Sequence, residues 1–153
     1  MENLHKTYHD KSGQLELSVF LKPDYLIVSY KDLSSILPED YLEFNTQVGN
    51  EMFENKIGRL LLDISKMQGF GLSLRAAGVN NLDRLMIQRA PFFVLAIIKG
   101  PNLFENLATQ TALKMALPLS KKFLAGEMFD SNEVGRKKAL DWLLGFPVPS
   151  EFK

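Results

Sequence analysis

The spacing of apolar positions changes several times along the chain, and each change marks an element. Leu15, Leu17, Val19 and Leu21 recur at every second residue, which lines one face of a strand. Tyr25 to Lys31 reads as a second strand, and the Lys22-Pro23-Asp24 turn between the two predicts a hairpin. Pro38 suits the first turn of a helix, where its missing N–H is not needed. Tyr41, Phe44, Val48 and Met52 then fall at helical spacing, with Gly58 as the expected stop.

Leu60 to Ile64 is short, apolar and without alternation, as a strand buried on both faces of a parallel sheet reads. Phe92 to Ile98 has the same character. Between them, a polar, glycine-bearing stretch from Ser65 to Gly71 leads into a helix carrying Leu74, Val79, Leu82, Leu85 and Met86, with Ser73 as its expected N-cap. Asn102 is placed to cap a third helix running to Leu117. Phe123 to Phe129 is a weaker strand whose flanking Lys121 and Lys122 suit a sheet edge. Asp130 with Glu133 resembles a capping box that opens a fourth helix with Ala139, Trp142 and Leu143, closed by Gly145.

The predicted order is β-β-α-β-α-β-α-β-α: a single α/β domain over residues 1–153, with a mixed, mainly parallel sheet and an N-terminal β-hairpin. Residues 1–12 and 147–153 are expected to be mobile ends.

Composition narrows the function. An apolar fraction of 46% over 153 residues supports a core that needs no disulfide or metal. The 18 basic and 18 acidic residues cancel, which argues against binding nucleic acid or an anionic surface and leaves a homodimer plausible. There is no cysteine, so disulfides, thiolate metal sites and thiol nucleophiles are excluded. The polar N-terminus lacks the apolar stretch of a secretory signal. The longest apolar run, Phe92 to Ile98, is too short to span a bilayer, which takes about 20 residues in a helix. A cytoplasmic protein that does not span a membrane is the expectation.

The candidate binding residues are Ser65, Gln68, Gly69, Gly71, Ser73 and Arg75, because ligands of open α/β sheets sit beyond the C-terminal ends of strands. Ser73, near a helix N-terminus, could hold an added phosphate; its plain reading is a cap. Gly69-Phe70-Gly71 begins like a dinucleotide loop, but its third glycine position is Leu74 and Asp83 lies within a helical pattern, so a tight turn is the simpler reading. Asp63 interrupts an apolar strand and is expected to accept backbone N–H bonds at the strand end rather than to act as a shifted acid.

His5 and His9 have metal-like spacing only on a helix, which their surroundings do not predict, so neither metal nor cofactor is expected. They are the only histidines, so the folded body offers no obvious base and no catalytic residue is assigned. Arg136-Lys137-Lys138 reads as a solvated helix face. The helix from Asn102 to Leu117 has a broad apolar share, including Leu103, Phe104, Leu107 and Met115. Such a helix either packs deeply on the sheet or touches a second subunit, a partner or an apolar ligand.

Arg59-Leu-Leu-Leu-Asp63 after a glycine-ended helix, then Phe92 to Ile98, then Phe129-Asp130 with Ala139-Leu-Asp-Trp142-Leu143, agree in order and spacing with one family. Over about residues 14–145 the chain resembles the bacterial SpoIIAA-like domains of STAS/SEC14 type. The resemblance implies a non-enzymatic role. Some members antagonise anti-sigma factors and are switched by serine phosphorylation; others resemble lipid-carrying SEC14 domains. Asp63-Ile64-Ser65 matches the first part of the antagonists' motif, and Ser73 aligns with the phosphorylated serine, but the acid and glycine beside it are replaced.

The resemblance therefore implies a regulatory module acting through protein–protein interaction. The alternative it implies is SEC14-like binding of a lipid or other apolar small molecule. A cavity of about 300 Å³ or more, lined by some of the chain's 11 phenylalanines and six methionines, would favour the second.

Overall fold

The computed structural model describes residues 3–152, apart from the side chains of Leu72, Ser73, Ala76 and Val79. Six strands form one sheet: β1 (Leu4–His9), β2 (Leu15–Phe20), β3 (Tyr25–Tyr30), β4 (Arg59–Asp63), β5 (Phe93–Ile98) and β6 (Phe123–Phe129). They lie side by side in chain order. The first three form an antiparallel meander, and β3 to β6 run parallel. The two segments expected at the heart of the sheet are neighbours there, with Leu60 opposite Leu95 and Leu62 opposite Ile97.

Four α-helices complete the fold: α1 (Pro38–Asn55), α2 (Leu72–Asn81), α3 (Leu103–Ala116) and α4 (Glu133–Gly145). A π-helical segment, Leu82–Ile87, continues α2. Parallel crossovers are right-handed, and here every crossover moves one strand in the same direction, so the connecting helices must share a face. Accordingly α1, α2 and α3 bury side chains against Leu15, Leu17, Leu60 and Leu95 on one face. After β6 the chain is free to take the other face, where α4 packs Ala139 and Leu143 on Leu61, Val94, Ala96 and Ile98. The Arg59 guanidinium fastens the far end of α4 by donating to the carbonyls of Leu143 and Phe146.

Several boundaries differ from the sequence reading. Leu4–His9, expected within a mobile end, is an edge strand. Its anchors are tertiary: Lys6 pairs with buried Glu51 of α1 at 2.6 Å, and the Tyr8 ring packs on Phe44. The other end holds a short 3₁₀ turn, Ser150–Phe152. α1 ends before Gly58, because Lys56 itself takes the left-handed conformation at φ 55. Gly58 serves a close approach instead: a Cβ there would lie 2.4 Å from the Phe92 carbonyl oxygen. α4 is capped by Asn132, which accepts from the Gly135 N–H at 2.7 Å, and not by Asp130. Asn102 caps α3 as expected, accepting from the Glu105 N–H.

Candidate functional site

The face shared by three helices is not closed. A cavity of 310 Å³ lies between the sheet and the helices over it. Its floor is Leu60, Leu62 and Ile64 of β4 with Leu95 and Ile97 of β5, brought to one face by the strand period of two. Tyr30, Tyr41 and Asn45 close one side, and Met67 and Phe70 contribute from the loop after β4. Gly78, Asn81, Leu82 and Met86 form the wall from α2 and its π-helical extension.

The roof is α3, and its side chains explain why a space remains. Ala108, Ala112 and Ala116, spaced by four, border the cavity with Thr109 and Leu113, and Ala108 and Ala112 are also exposed. The bulky apolar residues Leu103, Phe104, Leu107 and Met115 point outward, with Phe104 83% exposed. A helix that covers a core normally turns its large side chains inward. α3 departs from that order: Leu113 is buried, but Ala108, Ala112 and Ala116 border the cavity while Leu103, Phe104, Leu107 and Met115 are exposed, so the helix covers the floor without filling the volume beneath it.

Thr109 donates to the Glu105 carbonyl at 2.8 Å, and the other polar groups on the wall fall into three sets. Tyr30 Oη donates to Asn45 Oδ1 at 2.6 Å, and burial pushes the Tyr30 and Tyr41 phenols up, so both stay neutral. Arg75 forms an ion pair with Glu105, donates through Nε to the Phe70 carbonyl at 2.9 Å, and lies over the Phe70 ring. Asn81 stands apart. It is 3% exposed, and its amide nitrogen has no hydrogen-bond partner among the described residues.

Of the six residues singled out in the loop, the structure brings Arg75 to the cavity. Ser65 lies on the opposite face, where its hydroxyl accepts from Arg136 at 2.8 Å. The Gln68 backbone is stitched to the loop after β3 through Lys31 and Leu33. Gly69 has φ 70, and a Cβ there would lie 2.3 Å from Ser34 Oγ, which explains that glycine as a turn requirement. Gly71 immediately precedes α2. The Ser73 backbone lies inside α2 rather than at its cap, and its side chain, with the phosphorylation reading, falls outside the described residues. The segment borders the cavity through Met67, Phe70 and Arg75 and a polar cleft on the other face through Ser65 and Lys66, although the strand order never reverses.

Asp63 faces α4. Burial pushes its carboxyl up, but hydrogen bonds from Arg136 and Ser65, with the guanidinium charge, outweigh this and hold it below the usual value. Arg136 donates to Asp63 Oδ2 at 2.8 Å, so the expected solvated basic face contains one committed member. With Glu16, Ser29, Lys31 and Lys66 these groups border a polar cleft, also 310 Å³. Four of its charges pair, Lys31 with Glu16 and Arg136 with Asp63, and Lys66 has no ion pair among the described residues. His5 and His9 lie on β1, where positions four apart are about 13 Å apart along the strand, too far to share a metal. Among the described residues, no three His, Asp or Glu side chains are grouped as metal ligands, and no helix is long and apolar enough to cross a membrane.

Asn81 and the alanine stripe were missed in the sequence. The stripe had a signal: small residues recur every fourth position at 108, 112 and 116. Asn81 had none, since a polar residue near a helix end is ordinarily solvated. No family model matches the chain, and a search of the curated proteins finds no match.

Proposed function

We propose that the chain binds an apolar small molecule in the cavity beneath α3, without performing chemistry on it. The observation that carries this reading is the size order of α3, with alanines over an apolar floor and bulky side chains turned outward. At the roughly 30 Å³ that a water-sized unit occupies in the liquid, 310 Å³ takes a body of roughly ten non-hydrogen atoms. That suits a compact molecule better than a two-chain lipid.

The reading agrees with the SEC14-like side of the family resemblance, with the SpoIIAA-like fold, and with a cytoplasmic location. Asp63, the acid nearest to a catalytic candidate, is held ionised by Arg136, which makes it a weak base.

Equilibrium dialysis of the full chain against butylbenzene tests the proposal. One molecule bound per chain, abolished by Ala112→Leu beneath the roof, is expected. No binding at the solubility limit of the probe contradicts it.

The regulatory reading, in which the chain works through a protein partner, is favoured by a different observation: the outward Leu103, Phe104, Leu107 and Met115 of α3. Phe104→Ser separates the two. It leaves butylbenzene binding intact if the cavity is the site, and lowers it if the outer stripe is what captures the probe.

A further inference from the structure

We propose that the molecule held in the cavity is uncharged and presents one hydrogen-bond acceptor, a carbonyl or ether oxygen, to the side-chain amide of Asn81. This rests on the reading of the cavity as a ligand site and names the chemistry of its occupant.

A buried amide N–H without a partner is rare in native proteins, because it has lost water and gained nothing. The other buried polar groups on the wall are matched: Tyr30 donates to Asn45, and the Tyr41 hydroxyl is hydrogen-bonded with the same two residues. Asn81 Nδ2 is unmatched among the described residues, and the Asn81 side chain makes no capping bond to the π-helical segment that it precedes. It lies at the junction of α2 with the π-helical turn. Such turns are rare, and they recur at functional sites. An acceptor on the ligand supplies the partner that the described residues do not give this amide, whose residue is 3% exposed.

Charge decides against an acid or an amine. The charged groups on the described wall are Arg75 and Glu105, and they pair with each other. A carboxylate entering the cavity would have to break that pair or remain unmatched among Leu62, Ile97 and Met86. A neutral oxygen at Asn81 disturbs neither.

Three matched probes test the inference on the full chain: butyrophenone, butylbenzene and 4-phenylbutanoate, titrated by calorimetry and by ¹H–¹⁵N spectra of the side-chain amides. Butyrophenone is expected to bind about tenfold tighter than butylbenzene, the size of one hydrogen bond made to an otherwise unmatched group. It should also shift the Asn81 side-chain signals, which butylbenzene leaves in place. The acid should bind at least tenfold more weakly than the ketone. In Asn81→Leu, the ketone preference should vanish while butylbenzene still binds.

Equal binding of ketone and hydrocarbon, a ketone preference that survives Asn81→Leu, or an acid that binds tightest overturns the inference and leaves the cavity as a ligand site. If no probe binds, the functional reading fails and the inference with it. Should Asn81→Leu not fold, the amide shifts of the unaltered chain decide.

Discussion

Arg75 on α2 and Glu105 in the first turn of α3 form an ion pair, and both side chains line the cavity. Both are partly exposed, so the pair stands where the cavity reaches solvent and ties the roof to the wall. Deeper along α3, Leu113 and Ala116 are buried against the core. The N-terminal half of α3 is held by this pair and by Asn106, whose side-chain amide exchanges two hydrogen bonds of 2.8 Å with the Gly100 backbone.

Arg75→Met is therefore expected to loosen α3 more than the fold. A partly exposed pair contributes about 0.2–1 kcal/mol to stability. Amide hydrogen exchange in residues 103–110 should quicken while β4 and β5 keep their protection. The exchange Arg75→Glu with Glu105→Arg should restore most of the slowing.

Ala112→Leu adds three carbons to the roof, pointing into space that already exists. Burying apolar groups of this kind contributes about 0.8 kcal/mol per methylene. The variant should melt at the same temperature or higher, and lose small-molecule binding. A markedly lower melting temperature would mean that α3 lies closer to the floor than described.

Gly49 of α1 faces the π-helical segment, and a Cβ there would lie 1.8 Å from the Leu85 carbonyl oxygen. Backbone cannot yield as a side chain can, so Gly49→Ala must push the two elements apart. A loss of about 2 kcal/mol or more is expected in urea denaturation. A neutral result would refute the close approach.

The Asp63 carboxyl has a lowered pKa in the folded chain, so it favours folding most when ionised. Its contribution is present above the unfolded value of about 3.9 and is lost as pH falls through the lower folded value. Arg136→Gln should remove most of that lowering, so the variant should lose stability relative to the parent at pH 6 but not at pH 2. Denaturation curves at the two pH values check this.

Much of the fold was legible because the parallel strands carry their own signal. Leu60 and Leu61 on β4 and Phe93 to Ile98 on β5 are buried on both faces, and that reads directly as apolar runs without alternation. β1 was not legible, since Leu-His-Lys-Thr-Tyr-His has almost no apolar pattern and is held by Lys6 to Glu51 and Tyr8 to Phe44, contacts about 40 residues away in the chain. The site was half legible. The breadth of the apolar share on α3 was visible, and so was the choice between deep packing and an outside contact. What periodicity could not say is that alanines border the cavity while Leu103, Phe104, Leu107 and Met115 stay exposed, because both sets count as apolar. The loop after β4 drew attention through an analogy with sheets whose strand order reverses, and this sheet has no reversal.

Methyl-resolved spectra of the full chain titrated with butylbenzene test the central claim most directly. Saturable, one-to-one shifts at the methyls of Leu62, Ile64, Ile97 and Leu113, absent in Ala112→Leu, are the predicted result. Shifts confined to Leu103, Leu107 and Met115 on the outer side of α3, or no saturable shift at all, would contradict it.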